Sequence, residues 1–197
     1  MARESTPVLA LAGGAGSGKT TIARELARAI PGSVAVHLDL CYHCDPAIAP
    51  TVPAFDGTGP IVDFGNPRSI DIGRVDTEIS RHHGAALVIV EGTFALALPR
   101  IRDIARWSAY VDAPADIRLA RKTLRKIEAG KDPSTTLRGY LERGRAAHEH
   151  HVAPTRDLAD LVLDGTRPVD TLVRHLLDLV APDQLPGIER PARRACI

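Results

Sequence analysis

Gly13-Gly14-Ala15-Gly16-Ser17-Gly18-Lys19-Thr20 fits the pattern G-x-x-x-x-G-K-[ST]. An apolar run, Val8 to Ala12, precedes it, and Ile22, Leu26 and Ile30 recur after it at four-residue spacing. A strand, a glycine turn and a helix in that order predict a phosphate-binding loop, or P-loop. Glycines let successive backbone N–H groups converge on phosphate oxygens, and the helix N-terminus adds a partial positive charge. Lys19 is placed to reach the β- and γ-phosphates, and the Thr20 hydroxyl to hold Mg²⁺. Thr21, the next residue, is expected to bind the nucleotide together with residues 13–20. The segment therefore predicts binding of a nucleoside triphosphate. No lysine follows Asn or Thr, so the [NT]-K-x-D guanine-reading motif is missing, and ATP is the expected nucleotide.

Working outward, four more short apolar runs read as buried strands: Val34 to Leu38, Leu87 to Val90, Ala109 to Val111, and Leu161 to Leu163. None alternates with polar residues, so both sheet faces are expected to be covered. Helical patterns lie between them, with Ile117, Ala120, Leu124 and Ile127 expected as the core stripe of one helix, and Leu172, Leu176 and Leu179 in another. This predicts a three-layer α/β/α sandwich around a mainly parallel five-stranded sheet. One domain is expected over residues 1–181, with a helical lid near 118–140, a long Pro- and Gly-rich loop over 43–68 and a loose tail over 182–197.

Composition narrows the class. The 197 residues carry 25 basic and 24 acidic side chains, for a formal charge of +1. A dedicated nucleic-acid binder shows a larger basic excess, so no nucleic-acid partner is expected. No run approaches the roughly 20 apolar residues of a membrane span, so no membrane partner is expected either. Arg3 and Glu4 break the N-terminal stretch as a signal peptide. Three cysteines give no disulfide framework, and a cytoplasmic location is expected. Cys41 and Cys44 find no second pair for a zinc site, and His148-Glu149-His150-His151 lacks the histidine at 152 that a zinc protease motif requires. That stretch reads as a polar helix face flanking the ATP site.

Lysine is scarce, with four against 21 arginines. Lys19 is in the loop, and Lys122, Lys126 and Lys131 cluster with Arg118, Arg121 and Arg125. Cations at i,i+4 repel one another, so an anion is the expected partner. A lid closing over ATP would provide one. Open parallel sheets bind ligands at the carboxyl ends of their strands. Asp39 and Glu91 both stand there. Phosphoryl transfer needs a proton-accepting group beside the acceptor and a metal ligand; Asp39 takes the first role and Glu91 the second.

In order along the chain, the motifs resemble the uridine kinase family of P-loop kinases, related to phosphoribulokinase and pantothenate kinase. The residues carrying the resemblance are GGAGSGKTTIA at the loop, Asp39 to Tyr42, Phe64 with Pro67 to Asp71, VIVEGTFAL at 88–96, VDAPADIRLARK at 111–122, and His148-Glu149 with PTRDLADLVL at 154–163. The resemblance implies ATP-dependent phosphorylation of a nucleoside 5′-hydroxyl. It implies Asp39 as catalytic base, Arg121, Lys122 and Arg125 on the phosphates, and Tyr42 and Phe64 at the acceptor. Gly65 and Asn66 depart from the family's acidic residue and histidine, residues 72–86 are short, and Gly139 replaces a polar lid residue. The acceptor therefore stays open between a nucleoside and a non-nucleoside alcohol such as a sugar or pantothenate-like acid. A non-catalytic nucleotide-sensing module is the third reading. The oligomeric state, homo-oligomer included, is also open.

Overall fold

The computed structural model describes residues 6–180. The expected C-terminal tail and Arg3 and Glu4 lie outside them. Chain order runs β1 (Val8–Gly13), α1 (Lys19–Ala29), β2 (Val34–His37), β3 (Thr51–Pro53), β4 (Pro60–Val62), α2 (Ile72–Ser80) and β5 (Val88–Glu91). Then follow α3 (Pro99–Ile104), β6 (Trp107–Asp112), α4 (Ala115–Glu128), α5 (Pro133–Gly139), α6 (Arg145–Ala147), β7 (Leu161–Asp164) and α7 (Val169–Val180). Two π-helical turns, Tyr140–Gly144 and His148–Val152, flank α6.

Five strands form one parallel sheet in the order β2-β5-β1-β6-β7. Strand periodicity decides the layers. Along β1, Val8, Ala10 and Ala12 join one core cluster with Val75, Phe94, Leu96 and Ile101. Leu9 and Leu11 point the other way, onto Ile22 and Leu26 of α1 and Leu172 and Leu176 of α7. Both faces are thus apolar, which is why these strands read as continuous hydrophobic runs. The five predicted strands and their parallel sandwich are all present.

Two expectations change. The long loop over 43–68 contains an antiparallel hairpin, β3 with β4, that stands apart from the main sheet. More consequentially, α4 is turned around. Its apolar stripe faces outward, with Ile117, Leu124 and Ile127 exposed at 37%, 57% and 51%, and Ala120 exposed as well. The inward face is Arg118, Leu119, Lys122 and Lys126. The stripe did identify a helix, but the surface beneath it offers polar groups and a cavity rather than a core.

Candidate active site

The P-loop joins β1 to α1 at the carboxyl edge of the sheet. Gly16 has φ +87°, and a Cβ there would lie 2.3 Å from the carbonyl oxygen of Arg118. Gly14 is crowded by the Arg118 guanidinium, which would come within 2.4 Å of an added Cβ. Glycine is therefore required at 16, where the Arg118 backbone lies, and at 14 a side chain would have to displace the Arg118 guanidinium. Its Nε donates to the Ala113 carbonyl at 3.0 Å, fixing the side chain against the loop. Ser17 is buried at the bend, Gly13 is buried beneath it, and Ala15 and Thr21 are exposed. Gly18 holds φ +105° as helix α1 begins, and no side chain caps that end, so its N–H groups stay available to an anion.

Lys19 is buried, and its Nζ donates to the Gly14 carbonyl at 3.0 Å. Burial lowers its pKa to about 8, against the opposing pull of Glu91 and Asp39. Thr20 Oγ1 donates to Glu91 Oε1 at 3.0 Å. The same carboxylate oxygen lies 2.7 Å from His37 Nδ1. Glu91 is the last residue of β5 and is buried, so these two neighbours are what its carboxylate meets inside the protein. His37 closes β2, two residues before Asp39, and in the register of the sheet it stands beside Glu91. Its signal in the sequence was the strand end shared with Asp39.

Asp39 lies on the exposed 3₁₀ turn Leu38–Leu40, close enough to act electrostatically on Lys19, Tyr42 and Lys122. Tyr42 donates its hydroxyl to the Phe64 carbonyl at 3.2 Å and packs edge-on against the Phe64 ring, centroids 5.0 Å apart. Burial pushes the Tyr42 phenol well above its ordinary pKa. On α4, Lys122 has its pKa lowered by burial and by Arg125 and Lys126. Arg125 also acts on Lys19. Arg121 points elsewhere, donating to the Gly165 carbonyl at 2.8 Å.

Between α4, the hairpin and the π-helical turns lies a cavity of about 410 Å³. That is the size of a small-molecule site. Arg118, Lys122, Lys126 and Arg143 supply cations, Phe55, Phe64, Phe94 and Tyr140 supply rings, and Asp63 is the one carboxylate among the lining residues. Asp63 Oδ1 accepts from the Gly65 N–H at 2.9 Å and would lie 3.1 Å from a Cβ at Gly65. The chain thus carries an acidic group where a side chain at 65 would start. Sequence reading missed it because the carboxylate comes from two positions upstream. The roof is held by Arg143, which donates to the Pro53 carbonyl at 2.6 Å and stacks 4.4 Å from the Phe55 ring centroid. Gly139 is the flat seat beneath Phe55, whose ring a Cβ there would touch at 3.6 Å.

The sheet order, the loop and its lysine define the class: this is a P-loop kinase fold. Among solved structures the chain is similar to shikimate kinase from Acinetobacter baumannii in complex with shikimate, with a TM-score of 0.57 and 19% identity over 93% of this chain and 98% of that one. It is also similar to a putative fructose transport system kinase from Silicibacter sp. TM1040, with a TM-score of 0.54 and 19% identity over 82% and 91%. At such identity the likeness carries the fold. The Phosphoribulokinase / Uridine kinase family profile matches residues 69–172, more than half of the chain, and the chain belongs to that family. A uridine kinase of Staphylococcus haemolyticus (strain JCSC1435) is 28% identical over 181 residues, 81% of this chain and 87% of that one. Uridine kinase-like protein 3 of Arabidopsis thaliana is 28% identical over 86% of this chain, which spans 42% of that protein's length. No helix of the described residues is long and apolar enough to cross a membrane.

Proposed function

We propose that the protein is an ATP-dependent kinase that moves the γ-phosphoryl group to a hydroxyl of a small molecule, a nucleoside 5′-hydroxyl first among candidates. The observation that carries this is the cluster at the sheet edge. Thr20, Glu91 and His37 are joined by hydrogen bonds, Glu91 and Asp39 act on Lys19, and Asp39 acts on Lys122, which lines a cavity of acceptor size. Residues 13–20 hold the phosphates through backbone N–H groups, with Lys19 leaving Gly14 for the β- and γ-oxygens. The Thr20 hydroxyl and Glu91 carboxylate, already 3.0 Å apart, are hard oxygen donors of the kind Mg²⁺ takes. When bound there, Mg²⁺ would neutralise phosphate charge.

Asp39 accepts the proton of the acceptor hydroxyl, and Lys122 and Arg125 stabilise the transferring group. Arg121 joins them only when its bond to Gly165 opens. Tyr42 and Phe64 form one aromatic wall for the acceptor, and Asp63 accepts from its hydroxyls. Asp39→Asn should bind ATP with wild-type affinity and lose transfer by at least ~10²-fold, the usual contribution of a positioned base. The measurement is ADP release with ATP, Mg²⁺ and a panel of uridine, cytidine and simple sugars. Near-normal turnover in Asp39→Asn would remove that role.

A second reading has support at Gly65. With the carboxylate displaced to Asp63, the hydroxyl pattern that fits need not be that of ribose, and a non-nucleoside alcohol becomes the acceptor. The same panel separates the two. ATP binding with no ADP from any acceptor would instead favour the nucleotide-sensing module.

A further inference from the structure

His148 begins the second π-helical turn and lines the cavity. Its Nδ1 is buried and has no hydrogen-bond partner among the described residues. A buried N–H with no acceptor is costly, whereas a bare ring lone pair is favoured where the cations Arg118 and Lys19 act on the ring. The ring also stays uncharged: burial, then Arg118, lower its pKa to about 4, with Lys19 adding and Asp112 and Glu149 opposing. A neutral imidazole carries one proton, and the Nδ1 side offers it nowhere to go. The remaining place is Nε2, on a residue that lines the cavity.

We infer that His148 is the neutral N–H donor that reads an uncharged oxygen of the phosphoryl acceptor, a ring carbonyl or a sugar hydroxyl. This inference rests on the kinase reading above and names a specificity residue for it. The other N–H donors among the lining side chains, Arg118, Lys122, Lys126 and Arg143, are charged and suit phosphate. Thr93, Thr135, Thr136 and Tyr140 offer hydroxyls that both donate and accept. Asp63 can only accept. An acceptor whose oxygen lacks a lone pair facing His148 leaves the N–H unpaired, which is how a site of this kind rejects close analogues. The sequence shows His148 only within a run of polar residues. Its position is set by the turn that packs Val152 into the core.

Two measurements on the full chain test it. The first is ¹⁵N-histidine NMR at about pH 7, near the ordinary His pKa, with the His148 signal assigned from its loss in His148→Gln. A neutral ring protonated at Nε2 is expected; protonation at Nδ1, or an imidazolium, overturns the inference. The second uses uridine as the probe acceptor. His148→Leu should raise its KM by about 10- to 100-fold while the Kd for ATP stays within about twofold. His148→Gln, which keeps an N–H near the Nε2 position, should recover most of that loss. Equal uridine KM in wild type and His148→Leu overturns the inference. If wild type does not phosphorylate uridine, the nucleoside reading falls, and the NMR result alone decides the donor. If His148→Leu does not fold, the NMR result again decides the donor, and wild-type turnover of uridine still decides the nucleoside reading.

Discussion

Helices α1 and α4 each carry a clean apolar stripe at helical spacing, and the fold uses them in opposite ways. In α1, Ile22 and Leu26 are buried against Leu9, Leu11 and Ile89. In α4, Leu124 is 57% exposed while Arg118 is only 8% exposed. Periodicity reports that a helix has two faces; it does not report which one its neighbour requires. Beneath α1 lies the apolar face of the sheet. Beneath α4 lie the P-loop and a cavity, and cations satisfy that surface better than leucines do. On α4 the polar surface beneath has overridden hydrophobic patterning, and on α1 it has not.

The sharpest break between the two helices is expected in transfer. Lys19→Ala, at the first turn of α1, should reduce phosphoryl transfer by more than about 10³-fold, beyond the loss of one transition-state donor, with circular dichroism unchanged. Next comes stability. Leu26→Ala should cost ~2–5 kcal/mol in urea unfolding, as for a fully buried leucine. The matching change on α4, Leu124→Ala, should fall within ~0.5 kcal/mol. A large loss at Leu124 would mean that the α4 stripe is covered in solution, and would undo the contrast.

A smaller effect is proton linkage at Lys19. Its folded pKa, about 8, lies below the ordinary lysine value of 10.5, so between those values the folded apo-protein binds fewer protons than the unfolded chain. Stability should therefore rise with pH through that window and gain nothing further above it. Phosphates brought against Lys19 restore its charge. ATP binding at about pH 8.5 should take up roughly 0.7 proton, read by calorimetry in buffers of different ionisation enthalpy. Equal heats in all buffers would place Lys19 away from the phosphates. The smallest expected change is in Arg125→Lys on α4, which keeps the charge but loses the fork, and should lower transfer by less than ~10-fold.

The sheet and the phosphate end were legible because each residue there answers a local rule. Buried parallel strands must be apolar on both faces, and a phosphate cradle must have glycines at fixed offsets. Glu91 and Thr20 could be paired from the sequence because both follow a strand end or loop whose place the sheet dictates. The acceptor side was legible only in part. Tyr42 and Phe64 were named from resemblance, and the structure brings their rings together. Asp63, Phe55 and Arg143 were missed, and His148 was placed only beside the ATP site, because their meeting depends on how a hairpin and two π-helical turns fold over the sheet. No local spacing encodes that. Arg118 was legible only as one of a basic cluster for the same reason: its packing depends on the P-loop, far earlier in the chain.

The clasp of Arg143 over Phe55 and Pro53 ties together two pieces, residues 51–62 and 133–152, neither of which belongs to the main sheet. On the proposed function, transfer rests on the sheet edge and acceptor choice on these two pieces, which the clasp holds to each other as one part. A lineage could exchange the second without retooling the first. A designer wishing to redirect the enzyme would cut at the same seam, replacing hairpin and clasp as one part.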